Sequence, residues 1–572
     1  MFNLSKKVWI PLVVVLSALF VTTIVLIVLA STVWKVKLTV SAEQIDKSQN
    51  IKVKWDISKQ IDDIEIKVKH DGDLVSSVKL SNPNDIFKGE YELPAFYGKQ
   101  EVSVCVNNKL FSTTQKKVVK VFTDEYNIAP ITATMPVTIF SLSLMDEDNG
   151  ITKNASGEDI PTFVWFKRSG AWNYSKLPEN VYTMPIASSN RITANASQIE
   201  IYKNTSKWVK ELYEINPNSK FNLFYNDYYA YGWLQATVAN GIPSDNYKVV
   251  LLSDGTASFN YFNKHFDNEN YAEEYTSMLK NYNELKTQIK SKKSYREQLI
   301  NTYKISAGDI REYAYIMAKE EPNVEWWLTR VSGTLATNCP EMVTEVNNLV
   351  SSGKIRVKDL NGLLTALTEE EKVSLKELYN FSDTMFEKAT QENKKVMVIL
   401  GTWTNIELST NFDQYVKAVQ KYYGNDYVYY YKGHPKNPTN SVKGKLERLK
   451  SLNLIDVDST IAAELIFFFN PDAYCTGYQS TTFVSLDDEH SCGIFNARKD
   501  TFAESYKENI DFFISKVETS DSKYGSLISS TSYVLEFVDN SSYDIGIYNE
   551  NKNEIKYYKY NTTTLQYELV QK

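Results

Sequence analysis

The chain has 572 residues, 63 Lys and Arg against 70 Asp and Glu, a net charge of −7, and only four His and four Cys. At ~150 residues per domain this length predicts about three or four domains, and 43% hydrophobic with 23% charged residues excludes a disordered or collagenous chain. The acidic balance excludes a general nucleic-acid binder, four scattered Cys exclude a disulfide-dense scaffold, and four His speak against a His-rich metal site.

No charge occurs between Lys7 and Lys35, so residues 8–34 form an apolar stretch of 27 residues. A bilayer core takes about 20 helical residues, whereas the apolar part of a cleaved signal peptide runs roughly 7–15. Residues 1–37 are therefore expected to be an uncleaved transmembrane anchor that meets the membrane through residues 8–34. Lys6 and Lys7 on one side and Lys35 and Lys37 on the other nearly balance. The positive-inside rule then gives little direction. The commoner anchor topology puts the N-terminus inside and the globular part outside.

Residues 38–125 read as a β-sandwich. Ile51–Ile57, Ile64–Val68, Val102–Val106 and Lys117–Val121 alternate with period two, and Asp-Gly and Asn-Pro-Asn turns separate them. Its Lys-rich faces are solvated faces first.

From 135 the pattern becomes strand–helix alternation, which predicts parallel doubly wound sheets. Val137–Leu144, Thr162–Phe166, Phe221–Tyr225 and Tyr247–Leu252 are the expected strands of a first Rossmann-like lobe, residues 135–265, with a helix over 198–214. Residues 266–530 form the expected second lobe. It begins with helices over 270–320 and 340–394, where Thr368 is a candidate cap. Strands at Lys395–Leu400, Asp426–Tyr431, Leu454–Val457 and Ala473–Cys475 follow. Residues 531–572 form a β-rich, Tyr- and Asn-rich tail. The architecture expected is α/β: an anchor, a sandwich, two Rossmann-like lobes facing a cleft, and the tail. No GxGxxG occurs, and this two-lobed plan is that of many nucleotide-sugar glycosyltransferases (the GT-B type).

Ligands of open α/β sheets bind beyond the carboxyl ends of the strands. Just past the expected strands stand Ser253-Asp254-Gly255, Gly401-Thr402-Trp403, Lys432-Gly433-His434-Pro435 and Ser480-Thr481-Thr482. Taken singly, Asp-Gly is a common turn, a Trp after a strand is often packing, and Ser/Thr runs often cap helices. Together they offer a carboxylate base, a His able to act as an acid, a Lys, and hydroxyls able to hold phosphate. Of the four histidines, His70 lies in the sandwich, and His265 and His490 lack a motif, which leaves His434.

This set resembles the bacterial sialyltransferases of the Pasteurella and Photobacterium type, glycosyltransferase family 80. That family has an acidic-acidic-Gly motif, a Lys-Gly-His-Pro motif and a Ser-Ser motif in this order. Ala463-Glu464-Leu465-Ile466, Asn470-Pro471-Asp472 and Phe483–Leu486 resemble further segments of it. The likeness covers roughly 135–500 and is densest from 395 to 490. Some members carry an immunoglobulin-like sandwich ahead of the lobes. Three positions depart from the pattern: Ser253 for an acid, Thr481 for a Ser, and Lys436 for an Arg, which keeps the charge but not the bidentate fork.

The resemblance implies an inverting, metal-independent glycosyltransferase that moves sialic acid from CMP-sialic acid to a hydroxyl of a glycan acceptor, galactoside-type. No cofactor and no metal are expected. Asp254 would be the catalytic base and His434 the acid at the departing phosphate. Lys432, Gly433, Pro435, Glu464, Ser480 and Thr481 would bind the donor, with Glu464 on the cytosine amine and the two hydroxyls on the phosphate. Trp403 and Lys436 would meet the acceptor. The location implied is a single-pass protein of a bacterial cell membrane with the globular part extracytoplasmic. Two other readings stay open: a two-lobed transferase using another nucleotide sugar, and a non-catalytic surface glycan-binding protein. Ser253 and the tail favour the latter mildly.

Overall fold

The computed structural model describes residues 6–28, 36–59, 61–81, 87–107, 112–145, 151–167, 172–184, 198–227, 231–290, 313–329, 335–336, 338–401, 405–408, 410–435, 437–477, 482, 494–495, 532–536, 545–549, 554–564 and 566–571. The chain divides into two compact units. One comprises residues 1–124, 185–193 and 208–219; the other comprises 125–184, 194–207 and 220–572.

In the first unit, Lys6–Val28 is a helix with Pro11 inside its first turns. Its described side chains, Pro11 and those of residues 14–25, are all exposed, among them Leu16, Leu19, Phe20 and Val21. Among the described residues no helix is long and apolar enough to cross a membrane.

Seven strands follow: β1 (Leu38–Gln44), β2 (Asn50–Ile57), β3 (Asp63–His70), β4 (Asp73–Ser81), β5 (Lys88–Pro94), β6 (Gly98–Asn107) and β7 (Ser112–Val121). They form two antiparallel sheets in the orders β1-β2-β5 and β4-β3-β6-β7. Alternation decides which face goes inside. Ile51, Val53 and Trp55 of one sheet and Ile64, Ile66, Val68, Val102, Val104 and Val106 of the other are buried. The Lys residues between them stay at the surface and pair with acids, as Lys54 does with Glu43 at 2.9 Å.

The second unit holds an all-parallel sheet of β8 (Glu125–Thr132), β9 (Thr162–Lys167), β10 (Val181–Thr183), β11 (Lys220–Asn226), β12 (Tyr247–Leu252), β13 (Val324–Leu328) and β14 (Ile355–Val357). Its order is β10-β9-β8-β11-β12-β13-β14, so the direction of winding reverses between β8 and β11. A second parallel sheet of β15 (Lys395–Leu400), β16 (Tyr427–Lys432), β17 (Ile455–Val457) and β18 (Tyr474–Gly477) has the order β17-β16-β15-β18 and reverses between β15 and β18. Gly477 is needed there: at its φ of +145° a Cβ would run into the Leu400 backbone. Strands β20 (Ser532–Glu536), β21 (Ile545–Asn549), β22 (Glu554–Asn561) and β23 (Gln566–Val570) of the tail make an antiparallel sheet, with β19 (Ile494–Phe495) from ahead of the tail at its edge.

Two expectations change. Val137–Leu144 is not a strand but the middle of a helix, Thr134–Met145, buried from Met135 to Met145. A segment apolar on every face has no periodicity to separate strand from helix. The hydroxyls of Ser141 and Ser143 donate to the carbonyls of Val137 and Ile139, four residues back, so even the polar residues are satisfied within the helix. The first strand of the sheet is instead Glu125–Thr132, inside the stretch read as the end of the sandwich and a connection. Its Pro130 is tolerated because pairing with β11 stops at Ile128, leaving only β9 alongside. The first sheet also does not end at 265. Helices Tyr271–Lys290 and Tyr313–Glu320 lead to β13 and β14, which extend it to Val357.

One helix links the cores of the two sheets. In Ala463–Phe469, Leu465 joins Ala129, Ile131, Phe224 and Val250 of the first sheet's core. Ala463, Ile466 and Phe467 join Val398, Leu400 and Tyr430 of the second. Burying apolar side chains on both flanks fixes this helix, at ~25 cal/mol per Å² of apolar surface.

Candidate functional site

At the end of β12 the chain makes a tight turn. Ser253 is fully buried and its N–H donates to the Trp327 carbonyl at 3.0 Å, which carries the sheet one residue past the strand. Gly255 takes a left-handed φ of 70° and opens the helix Thr256–Phe266. Its N–H donates to Ser253 Oγ at 3.1 Å. Between them Asp254 is half-buried. Its N–H donates to Asp227 Oδ1 at 3.2 Å and to Ser258 Oγ at 3.0 Å.

Asp227 is a residue that the sequence reading missed. It is the first residue after β11, the strand at the winding reversal, and it is 0% exposed. Trp326 Nε1 donates to its Oδ2 at 3.1 Å. Next to it, Asn226 closes the reversal by exchanging amide hydrogen bonds with the Thr132 backbone at the end of β8. The signal was present: Asn226-Asp227 stands just past Phe221–Tyr225, where the strand-end rule looks.

In the second sheet, β16 delivers Lys432, Gly433, His434 and Pro435 to its carboxyl end. Lys432 is 5% exposed and donates to the carbonyls of Gly433 at 3.3 Å and Ser459 at 3.2 Å. Burial pushes its ammonium down to about 8, against the pull of Glu464 and Asp458. Glu464 sits in the first turn of the linking helix, 7% exposed, and burial raises its carboxyl. Thr482 Oγ1 donates to Glu464 Oε1 at 3.0 Å. Lys432, Glu464 and Thr482 thus meet in one buried group, at the sheet whose winding reverses between β15 and β18.

The half-buried His434 heads a turn closed by the Asn437 N–H on its carbonyl at 2.8 Å. Asn437 Oδ1 accepts from Ser441 Oγ at 3.2 Å and from Lys445 Nζ. Lys445 Nζ lies 3.7 Å from Glu407 Oε2 in an ion pair whose side chains are both 1% exposed. The other Glu407 oxygen accepts from the Tyr431 hydroxyl. The turn therefore stands on buried charges.

Trp403, Lys436, Ser480 and Thr481 lie outside the described residues. Of the other histidines, His265 meets Glu274 at 3.4 Å, His70 Nδ1 accepts from Gln100 Nε2 at 2.9 Å, and His490 lies outside the described residues. Among the described residues one group brings metal-ligand types together: His70, Asp71 and Glu211, in the sandwich unit.

No family model and no curated protein matches the chain. Among solved structures it is similar to a sialyltransferase from Photobacterium damsela, with a TM-score of 0.46, 11% identity, and coverage of 84% of this chain and 95% of that one. It is also similar to a UDP-GlcNAc 2-epimerase from Neisseria meningitidis, with a TM-score of 0.35, 12% identity, and coverage of 69% and 92%. A putative UDP-N-acetylglucosamine 2-epimerase from Listeria monocytogenes follows, with a TM-score of 0.33, 9% identity, and coverage of 64% and 77%. None reaches a TM-score of 0.5, so the functional reading stands on this chain's own residues.

Proposed function

We propose that the chain is an inverting, metal-independent sialyltransferase of GT-B type, related to glycosyltransferase family 80. In this reading it transfers sialic acid from CMP-sialic acid to a sugar hydroxyl. The observation that carries it is the coincidence of motif and topology. Asp254 and the Lys432–Pro435 segment stand at the carboxyl ends of β12 and β16, and each of these strands is next to a strand that flanks its sheet's winding reversal. Those are the places where open α/β sheets bind ligands.

In this mechanism Asp254 takes the proton of the acceptor hydroxyl as that oxygen attacks the anomeric carbon. Between the two aspartates, exposure assigns the roles: Asp254 is half-buried and can meet a substrate, while Asp227 is sealed in. The bond from the anomeric carbon to the CMP oxygen breaks, and His434 donates a proton or hydrogen bond to the departing phosphate. A positioned acid or base of this kind contributes roughly 10²–10⁴-fold. Ser480 and Thr481 hold the phosphate. Glu464 accepts from the cytosine amine, as carboxylates do from cytosine N4. Lys432 spends its hydrogen bonds on two loop carbonyls. It therefore acts on the donor through its field and by fixing the Gly433 and Ser459 carbonyls in place, while Pro435 is taken as a donor contact. Trp403 and Lys436 complete the acceptor side.

Residues 8–34 are proposed as a membrane anchor, with the globular part outside. Support comes from the sequence, where 27 residues without a charge lie between Lys7 and Lys35, more than the about 20 helical residues a bilayer core takes. The sandwich is proposed as the immunoglobulin-like module that some family members carry. A donor panel with EDTA present tests the central reading: acceptor-dependent CMP release from CMP-sialic acid is expected. Release from a different nucleotide sugar would move the assignment to another donor. Glycan binding without turnover would make the chain a binding protein.

A further inference from the structure

The buried carboxylate of Asp227 has no part in the chemistry above, yet it sits at the winding reversal of the first sheet. β11 and β12 are parallel neighbours with Tyr225 opposite Leu251 and Asn226 opposite Leu252. One step further along the same register, Asp227 comes level with Ser253, one residue short of Asp254. On the other side of β12, Trp326 lies opposite Leu251. Tyr225, Leu251 and Trp326 therefore share a face, and Asp227, two residues after Tyr225, lies on that face as well. The Trp326 indole reaches diagonally over β12 to Asp227 Oδ2 at 3.1 Å, while Oδ1 accepts the Asp254 N–H at 3.2 Å. Both oxygens are engaged from different strands, so the carboxylate has one orientation.

We propose that Asp227 is the positioning residue of Asp254: a buried acceptor that fixes the backbone, and through it the carboxylate, of the base. It rests on the reading of Asp254 as the base. The physical need is clear from the turn. Asp254 lies past the last ladder pair of β12 and before a helix opened by a left-handed glycine. Its N–H donates to the side chains of Asp227 and Ser258. A buried polar group is costly unless it is hydrogen-bonded, and both oxygens of Asp227 are.

The test uses the full chain with three variants, Asp227→Ala, Asp227→Asn and Ser258→Ala. The readouts are kcat and KM for CMP-sialic acid turnover, with hydrogen exchange of the peptide spanning 252–258 alongside. Loss of the acceptor should lower kcat about 10²-fold, the usual effect of misplacing a catalytic group by about 1 Å, with the donor KM within threefold. Asn keeps an oxygen for the Asp254 N–H, so Asp227→Asn should recover at least tenfold over Asp227→Ala. Exchange at 252–258 should speed up in Asp227→Ala and stay slow in Asp227→Asn. Ser258→Ala leaves the Asp227 bond and should fall between. A kcat for Asp227→Ala within threefold of the parent overturns the proposal, as does equal loss in the Ala and Asn variants. If the parent itself turns over no nucleotide sugar, the reading of function fails, and exchange alone decides the positioning. Unchanged exchange in Asp227→Ala would then overturn that too.

Discussion

The two strand-end turns that carry the proposed base and acid are built on different physics. The turn at Ser253–Gly255 is held by two fixed acceptors, a buried carboxylate and a serine hydroxyl, and by a left-handed glycine. The turn at Gly433–Pro435 is held from below by buried ammonium groups, Lys432 on two carbonyls and Lys445 on Asn437. Hydrogen bonds to a fixed acceptor depend on shape. Buried charges depend on partners and on protonation, because desolvation costs several kcal/mol per ion. The first turn should therefore answer to truncation and the second to pH and to loss of a charge partner.

The largest effect tests what the two turns share. Asp254→Asn and His434→Ala should each reduce transfer by roughly 10²–10⁴-fold, with an unchanged melting temperature, since both residues are half-buried. Loss at one turn only would break the pairing of base and acid. Next comes Lys445→Met, which leaves Glu407 buried without its partner. Breaking a buried pair costs about 3–5 kcal/mol, readable as a lower denaturant midpoint. Replacing both residues by apolar ones should cost less than removing Lys445 alone.

A smaller effect concerns Lys432. Its folded value of about 8 lies below the ordinary 10.5 because of burial. Between those values the unfolded chain holds the proton and the folded chain does not. This group therefore adds stability as pH rises from 8 toward 10.5, by at most about 1.4 kcal/mol per pH unit. Stability of the parent minus that of Lys432→Met should rise with pH over that window; a flat difference would remove the contrast between the turns. Donor KM should rise as pH passes through about 8, where the folded chain loses this positive charge. The smallest effect lies away from both turns. Thr368→Ala removes a capping box in which the Thr368 hydroxyl accepts the Glu371 N–H at 3.2 Å and the Glu371 side chain accepts the Thr368 N–H at 2.6 Å. It should cost about 1 kcal/mol and leave kcat unchanged.

Alternation and the strand-end placement of Asp254 and Lys432–Pro435 were the legible parts of the sequence. The period-two runs of the sandwich and the strands Tyr247–Leu252 and Lys395–Leu400 stand where their patterns put them, because each buries a definable set of side chains. The cap at Thr368 was legible because its partner lies three residues away. The helix Thr134–Met145 was not, since an element buried all round carries no periodicity. Val324–Leu328 was hidden by its shortness and by helices on both sides, and with it went the true extent of the first sheet. Lys432, Glu464 and Thr482 come together as buried partners, a grouping that spacing alone does not dictate. Asp227 was overlooked because Asn-Asp after a strand reads as a turn. Its role appears only once the strand order places β11 at the reversal.

The most direct measurement is CMP release from CMP-sialic acid by the full chain, with EDTA present and a galactoside acceptor added or withheld. The account predicts release that needs the acceptor, survives EDTA, and disappears in Asp254→Asn. No release under any of these conditions, or equal release in Asp254→Asn, would contradict it.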